Sequence, residues 1–179
     1  MAKLRKMLGS LDDPSVAALM RLIETQSRET LAKWAADYTE THYLPVYEKA
    51  FPEEDGLRET IAACKKCAAG EIKLTKLKPL VKAARETASS LAKSTGVSPA
   101  VQAAARAVAT ACAVMQTPTN ALGFTFYGAA AAAYDQAGTE ERPEIYDALA
   151  EKELAAILAS LQSAAVENEP NPVKVDWNC

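Results

Sequence analysis

Apolar residues recur at intervals of three and four along most of this chain, the spacing that places them on one face of an α-helix. Over residues 14–24, Val16, Leu19, Met20 and Ile23 make such a face behind Asp12-Asp13-Pro14, an acidic, proline-led start suited to a helix N-terminus. Ser27 stands where it would cap a second helix over 28–43, whose stripe is Leu31, Trp34, Ala35, Tyr38 and His42. His42 is therefore expected on the buried side. Pro45 opens a short segment that stops at Phe51-Pro52. Asp55 precedes a helix over 57–69 bearing Leu57, Ile61, Cys64 and Ala68 and ended by Gly70.

Residues 71–78 are basic and without clear period, so they read as a connector into a helix over 79–94 with Leu80, Val81, Ala84, Thr87, Ala88 and Leu91 inside. Ser98-Pro99 is an N-cap followed by proline at the first helical position, starting a helix over 99–115 with Val101, Ala104, Val108, Cys112 and Met115 on one stripe. After Thr117-Pro118-Thr119-Asn120, the helix over 119–137 is apolar on every side through Tyr134, the mark of a helix enclosed by others. Its Gly123, Gly128 and alanines are expected to admit neighbouring backbones closely. A last helix over 141–163 starts at Glu140, Glu141, Pro143 and Glu144 and buries Tyr146, Leu149, Leu154, Ile157, Leu158 and Leu161. Only Val173-Lys174-Val175 alternates with a period of two.

The fold expected is an all-α, single-domain bundle of about seven helices over residues 1–163, with a central alanine-rich pair and an irregular tail over 164–179. No pattern recurs at a fixed period, which favours a bundle over a solenoid. Composition agrees: 37 of 179 residues are alanine and only 7 are glycine, so much of the 49% hydrophobic share is the best helix former and a poor strand former. Residues 107–134 carry no charge, a run long enough to span a bilayer. Pro118 and the polar turn at its middle would break a membrane helix, so two buried helices are expected there and no membrane association. With a net charge of −3 and a pI near 5.3, no nucleic-acid partner is expected. The chain's start lacks a signal peptide's apolar stretch, which points to a cytoplasmic protein with free thiols.

Candidate chemistry is sparse. Cys64-Lys-Lys-Cys67 has C-x-x-C spacing, but beyond it only Cys112, Cys179 and one histidine remain to complete a four-ligand zinc site. The pair falls within a helix, so Cys64 is expected buried and Cys67 on the flank; a metal site using Cys64, Cys67 and Cys112 is the competing reading. One histidine removes most nucleophile–base schemes. Asp37, Glu40 and Glu48 are near in sequence but spaced for different faces. Lys73, Lys76, Lys78 and Lys82 form a small basic patch. Glu53-Glu54-Asp55 and Glu140-Glu141-Glu144 suit helix starts, and as a second role would face a basic partner.

The stretch from Leu31 to Pro45, containing Trp34, Asp37 and His42-x-Leu44-Pro45, is followed in order by Arg58, Gly70, Arg85 and Gly123-x-x-x-Tyr127. Together these resemble the all-helical Imm-like immunity protein family of bacterial polymorphic-toxin systems over roughly residues 28–137. The chain departs from that family's pattern where Gln116 and Asn120 stand near histidine positions, where no tryptophan lies beside Cys67, and at Asp55-Gly56-Leu57. The resemblance implies a non-enzymatic protein without cofactor that binds and blocks a cognate toxin. It also singles out Trp34, Asp37, His42, Arg58, Arg85 and Tyr127, expected as a polar network in which Arg58 or Arg85 pairs with Asp37. The alternative is a helical ligand-binding protein or enzyme with a pocket around Trp34, His42, Arg58 and Tyr127. Exposed apolar helix faces would also allow a homodimer.

Overall fold

The computed structural model describes residues 3–178; Met1 and Ala2 at the chain's start, and Cys179, the fourth cysteine, lie outside the described residues. Eight helices are present there: α1 (Pro14–Ile23), α2 (Arg28–His42), α3 (Leu44–Ala50), α4 (Gly56–Ala68), α5 (Leu74–Lys93), α6 (Pro99–Cys112), α7 (Asn120–Ala137) and α8 (Pro143–Ala164). The extra helix relative to the expected count is α3, the short proline-led segment. Side-chain caps form where the sequence placed them: Asp13 accepts from Ser15 N, Ser27 from Thr30 N and Ser98 from Val101 N.

The supposed connector is the first part of α5. Leu74, Leu77, Val81, Ala84 and Ala88 run as one stripe, with Leu77 fully buried, and the interspersed lysines had hidden this spacing. Pro79 lies inside the helix, where it removes the bond that Thr75 C=O would have accepted. Both residues are on the exposed side, so water replaces the lost donor.

α6 and α7 form the expected central pair. α6 packs against α2, α3, α4, α5 and α7, while α7 packs against α6, α8, α2 and α1. Alanines at 103, 104, 105, 107, 109 and 111 are all buried on α6, so small side chains are what lets five helices approach it. α6 ends at Cys112, three residues earlier than its apolar stripe. The turns at 113–119 divide the charge-free run, and no described helix is long and apolar enough to cross a membrane.

Both ends of the described chain are fastened. Leu8 is buried and its N–H donates to Phe126 O (3.1 Å), while Tyr134 OH donates to Arg5 O (2.7 Å). Beyond α8 the tail is irregular and returns to the α1–α2 junction. Gln26 exchanges bonds with Val166, Val173 N donates to Gln26 O (2.9 Å), and Ser27 and Pro172 form an isolated antiparallel bridge. The Glu169 carboxylate accepts from Ser27 N, Ser27 Oγ and Thr30 Oγ1. Burial works against its charge, but these donors at the positive end of α2 outweigh it and hold the carboxyl below its ordinary value.

Candidate functional site

The six residues singled out by sequence do not gather into one network. Trp34 is buried in α2, its Nε1 donating to Ser160 Oγ of α8 (2.8 Å) and its ring meeting Phe124 edge-on at 5.1 Å. Asp37 is half-buried and pairs with Lys33 and Lys65, not with an arginine. Arg58 instead forms a two-pronged bond to Glu48 (2.8 and 2.6 Å). Arg85 is exposed on α5, and Tyr127 is half-buried; neither has a side-chain hydrogen bond or ion pair among the described residues.

His42 is exposed rather than buried. It does follow the α2 stripe, since its ring stacks on Tyr38 with centroids 4.2 Å apart. It is, however, the last residue of the helix. The chain turns inward immediately afterwards at Tyr43 and Leu44, and those two take the buried places.

Two polar assemblies flank α2. The inner one was not found from sequence: Tyr38 OH and Tyr43 OH both donate to the same oxygen of Glu153 on α8, at 2.8 and 2.6 Å. Burial, reinforced by the Glu153 charge, pushes both phenols well above their ordinary value, so they remain donors. Tyr43 also explains Gly128: a methyl there would overlap the phenol ring, lying 2.5 Å from Cε2. It is thus a side chain, not a neighbouring backbone, that Gly128 admits. Gly123 is different, since a methyl there would meet Thr110 Cγ2 at an ordinary 3.5 Å. The available hint was tyrosine at 38 and 43 facing a glycine in an otherwise apolar helix; nothing local pointed to Glu153.

The outer assembly is a ribbon of ion pairs. Lys33 meets Asp37 (2.6 Å), Asp37 meets Lys65 (2.9 Å), Lys65 meets Glu40, and Arg58 lies between Glu40 (3.9 Å) and Glu48. Asp37, Glu40 and Glu48 therefore converge on two cations, contrary to the different faces expected for them. The Arg58 guanidinium holds the Glu48 carboxyl below its ordinary value. For Asp37 burial acts in the opposite direction, but hydrogen bonds from Lys33 and Lys65 outweigh it and lower the carboxyl too. Three acids and three bases alternate, so the ribbon ties α2, α3 and α4 together with no charge left over.

Cys67 is buried, as is Cys64, rather than on the flank. The Cys64 thiol faces Ala32 O at 4.0 Å; the neighbouring Cys64 thiol and burial push the Cys112 thiol well above its ordinary value. Burial also pushes the Cys67 thiol up, whereas the neighbouring Cys112 thiol holds the Cys64 thiol below its ordinary value. Among the described residues no three of His, Cys, Asp and Glu are grouped to hold a metal ion. The acidic clusters Glu53-Glu54-Asp55 and Glu140-Glu141-Glu144 are exposed. The main clefts are lined by none of Trp34, His42, Arg58 and Tyr127. An open cleft of about 580 Å³ runs between the N-terminal segment and α8, and two smaller ones share Lys3, Leu4, Arg5 and Tyr134.

The model of one protein family, described as Imm-5 like putative immunity protein, matches residues 21–159. That span runs from the last turn of α1 into α8 and holds both polar assemblies. Among curated proteins and among solved structures nothing matches the chain.

Proposed function

Because this chain belongs to the Imm-5 like putative immunity protein family, we propose that it binds a cognate bacterial toxin and neutralises it by occlusion, without catalysis and without a cofactor. The family match over residues 21–159 is the observation that carries this reading. The roles of the polar residues support it. Trp34, Asp37 and Arg58 are occupied in holding helices together, and the sole histidine sits on the surface stacked on Tyr38. A preformed helical surface loses little ordering entropy on association, which suits a tight inhibitor.

The surfaces proposed to face the toxin are the exposed acidic starts of α4 (Glu53, Glu54, Asp55) and α8 (Glu140, Glu141, Glu144), none of which is in an ion pair among the described residues. Unpaired charge at an interface steers encounter and selects partners more than it adds affinity. Action would be in the cytoplasm, where a cell must protect itself from its own toxin. The test is co-expression with toxin C-terminal domains encoded by genes neighbouring that of this chain. Restored growth together with co-elution of the two purified proteins is the expected result. Failure to rescue from any neighbouring toxin, or rescue without a complex, overturns the proposal.

A further inference from the structure

One of the two smaller clefts has a composition at odds with the rest of the molecule. Its walls are Lys3, Arg5 and Lys6 of the N-terminal segment and Arg106 of α6, and no acidic residue lines it, in a chain of net charge −3. Leu4, Ala92, Pro99 and Ala103 give it an apolar floor. Arg5 is tied to Asp147, but Lys3, Lys6 and Arg106 have no ion-pair partner among the described residues. Arg106 is the telling member. It is half-buried on the most enclosed helix and has no hydrogen bond or ion pair among the described residues, so its guanidinium is free to take an anion in two-pronged fashion.

The segment carrying the other cations is held in place. Tyr134 OH grips Arg5 O, Leu8 N–H bonds to Phe126 O, and Leu4 packs on the core. The backbone that carries these charges is therefore set before any ligand arrives. Size decides the class of ligand: the cleft measures about 200 Å³, below the roughly 300–1,000 Å³ of small-molecule pockets. It accommodates one or two side chains. A carboxylate would take the guanidinium in two-pronged fashion while an adjoining apolar side chain covers the floor. The neighbouring cleft shares Lys3 and Arg5 and is lined by Glu140 and Glu141, so the two signs of charge stand side by side and would set a partner's orientation.

We infer that the Lys3–Arg5–Lys6–Arg106 cleft docks an acidic, leucine-bearing peptide segment of a protein partner, an inference that rests on reading this chain as a binding protein. The full chain is titrated into a fluorescein-labelled Glu-Leu-Glu-Glu-Leu-Glu peptide, read by anisotropy at low ionic strength. Saturable binding is expected, weakened at least about tenfold by Lys6→Glu with Arg106→Glu, and less than about twofold by Lys78→Glu with Lys82→Glu, an equal charge change on α5. Lys6→Gln with Arg106→Gln, checked for helicity, repeats the test without new charges. Replacing the peptide's leucines by serine is expected to weaken binding several-fold. No binding, equal loss in both charge-reversed variants, or displacement of the peptide by inorganic phosphate at equal concentration overturns the inference. Rescue from the toxin is read separately. If the cleft variant loses the peptide yet rescues like the unaltered chain, this cleft is not the toxin's docking site and the toxin-binding proposal stands. If the unaltered chain binds the peptide there but rescues no toxin, only the toxin-binding proposal falls.

Discussion

The two faces of α2 handle polar groups on opposite terms. On the inner face Tyr38, with Tyr43 just past the helix end, points its hydroxyl at one oxygen of Glu153, and Tyr43 is 1% exposed. On the outer face Lys33, Asp37 and Glu40 enter a ribbon with Lys65, Arg58 and Glu48, whose side chains are 27% to 70% exposed. The ribbon has six charges and the inner node one, yet cohesion follows burial rather than charge count. Water competes for every member of the ribbon, so each pair contributes on the order of 0–1 kcal/mol. A buried hydroxyl has no water to fall back on, and leaving one unpaired costs about 1–3 kcal/mol.

The largest break in that comparison is Glu153→Leu, which strands both phenols. It is expected to destabilise the protein by about 3 kcal/mol in urea titration, whereas Glu153→Gln, which keeps an acceptor oxygen, costs about 1 kcal/mol. The node also has a pH signature. Its phenols titrate higher folded than unfolded, so its contribution is full below about pH 10 and is lost as pH climbs above that value, where the unfolded tyrosines ionise first. Next comes Gly128→Ala, which forces a methyl into the Tyr43 ring and is expected to cost about 2 kcal/mol. Its control on the same helix, Gly123→Ala, meets only ordinary contact and should stabilise by roughly 0.5 kcal/mol. If both alanines behaved alike in thermal unfolding, the tight fit of Tyr43 against α7 would be wrong.

Smallest is the ribbon. Arg58→Ala is expected to cost less than about 1 kcal/mol, and less still as salt is raised. Glu48 and Asp37 titrate below their ordinary values, so the ribbon's contribution is present above the usual carboxylate range and disappears as pH falls through the lowered values. A ribbon variant as damaging as Glu153→Leu would reverse the ranking of the two faces.

The apolar stripe and the Ser27 cap identified α2, and the motifs on it pointed to the family, but neither told which of its polar residues cooperate. Trp34 bonds to Ser160 and Asp37 pairs with Lys65, partners that lie outside any local pattern. The distance along the chain explains this. Glu153 lies 110 residues from Tyr43, and Glu169 is 142 from the Ser27 it caps, separations that no periodicity encodes. His42 shows the complementary failure. Its stripe was read correctly, but a stripe says nothing about where the covering helices end.

By itself the sequence determined most of the helices, the side-chain caps of α1, α2 and α6, and the alanine-rich α6–α7 pair around which the others pack. Those features depend on neighbours within one or two turns, which periodicity, capping residues and composition report directly. Even the lapse at α5 was local, since Leu74, Leu77 and Val81 were spaced correctly beneath the lysines. Only the tertiary structure decided that Glu153 would serve two tyrosines, that Gly128 would receive a ring, that Arg58 would turn to Glu48, and that three unpaired cations would line one apolar-floored cleft. Each of these depends on which helix faces which, and that is set by packing the whole apolar surface at once rather than by any segment's own preference.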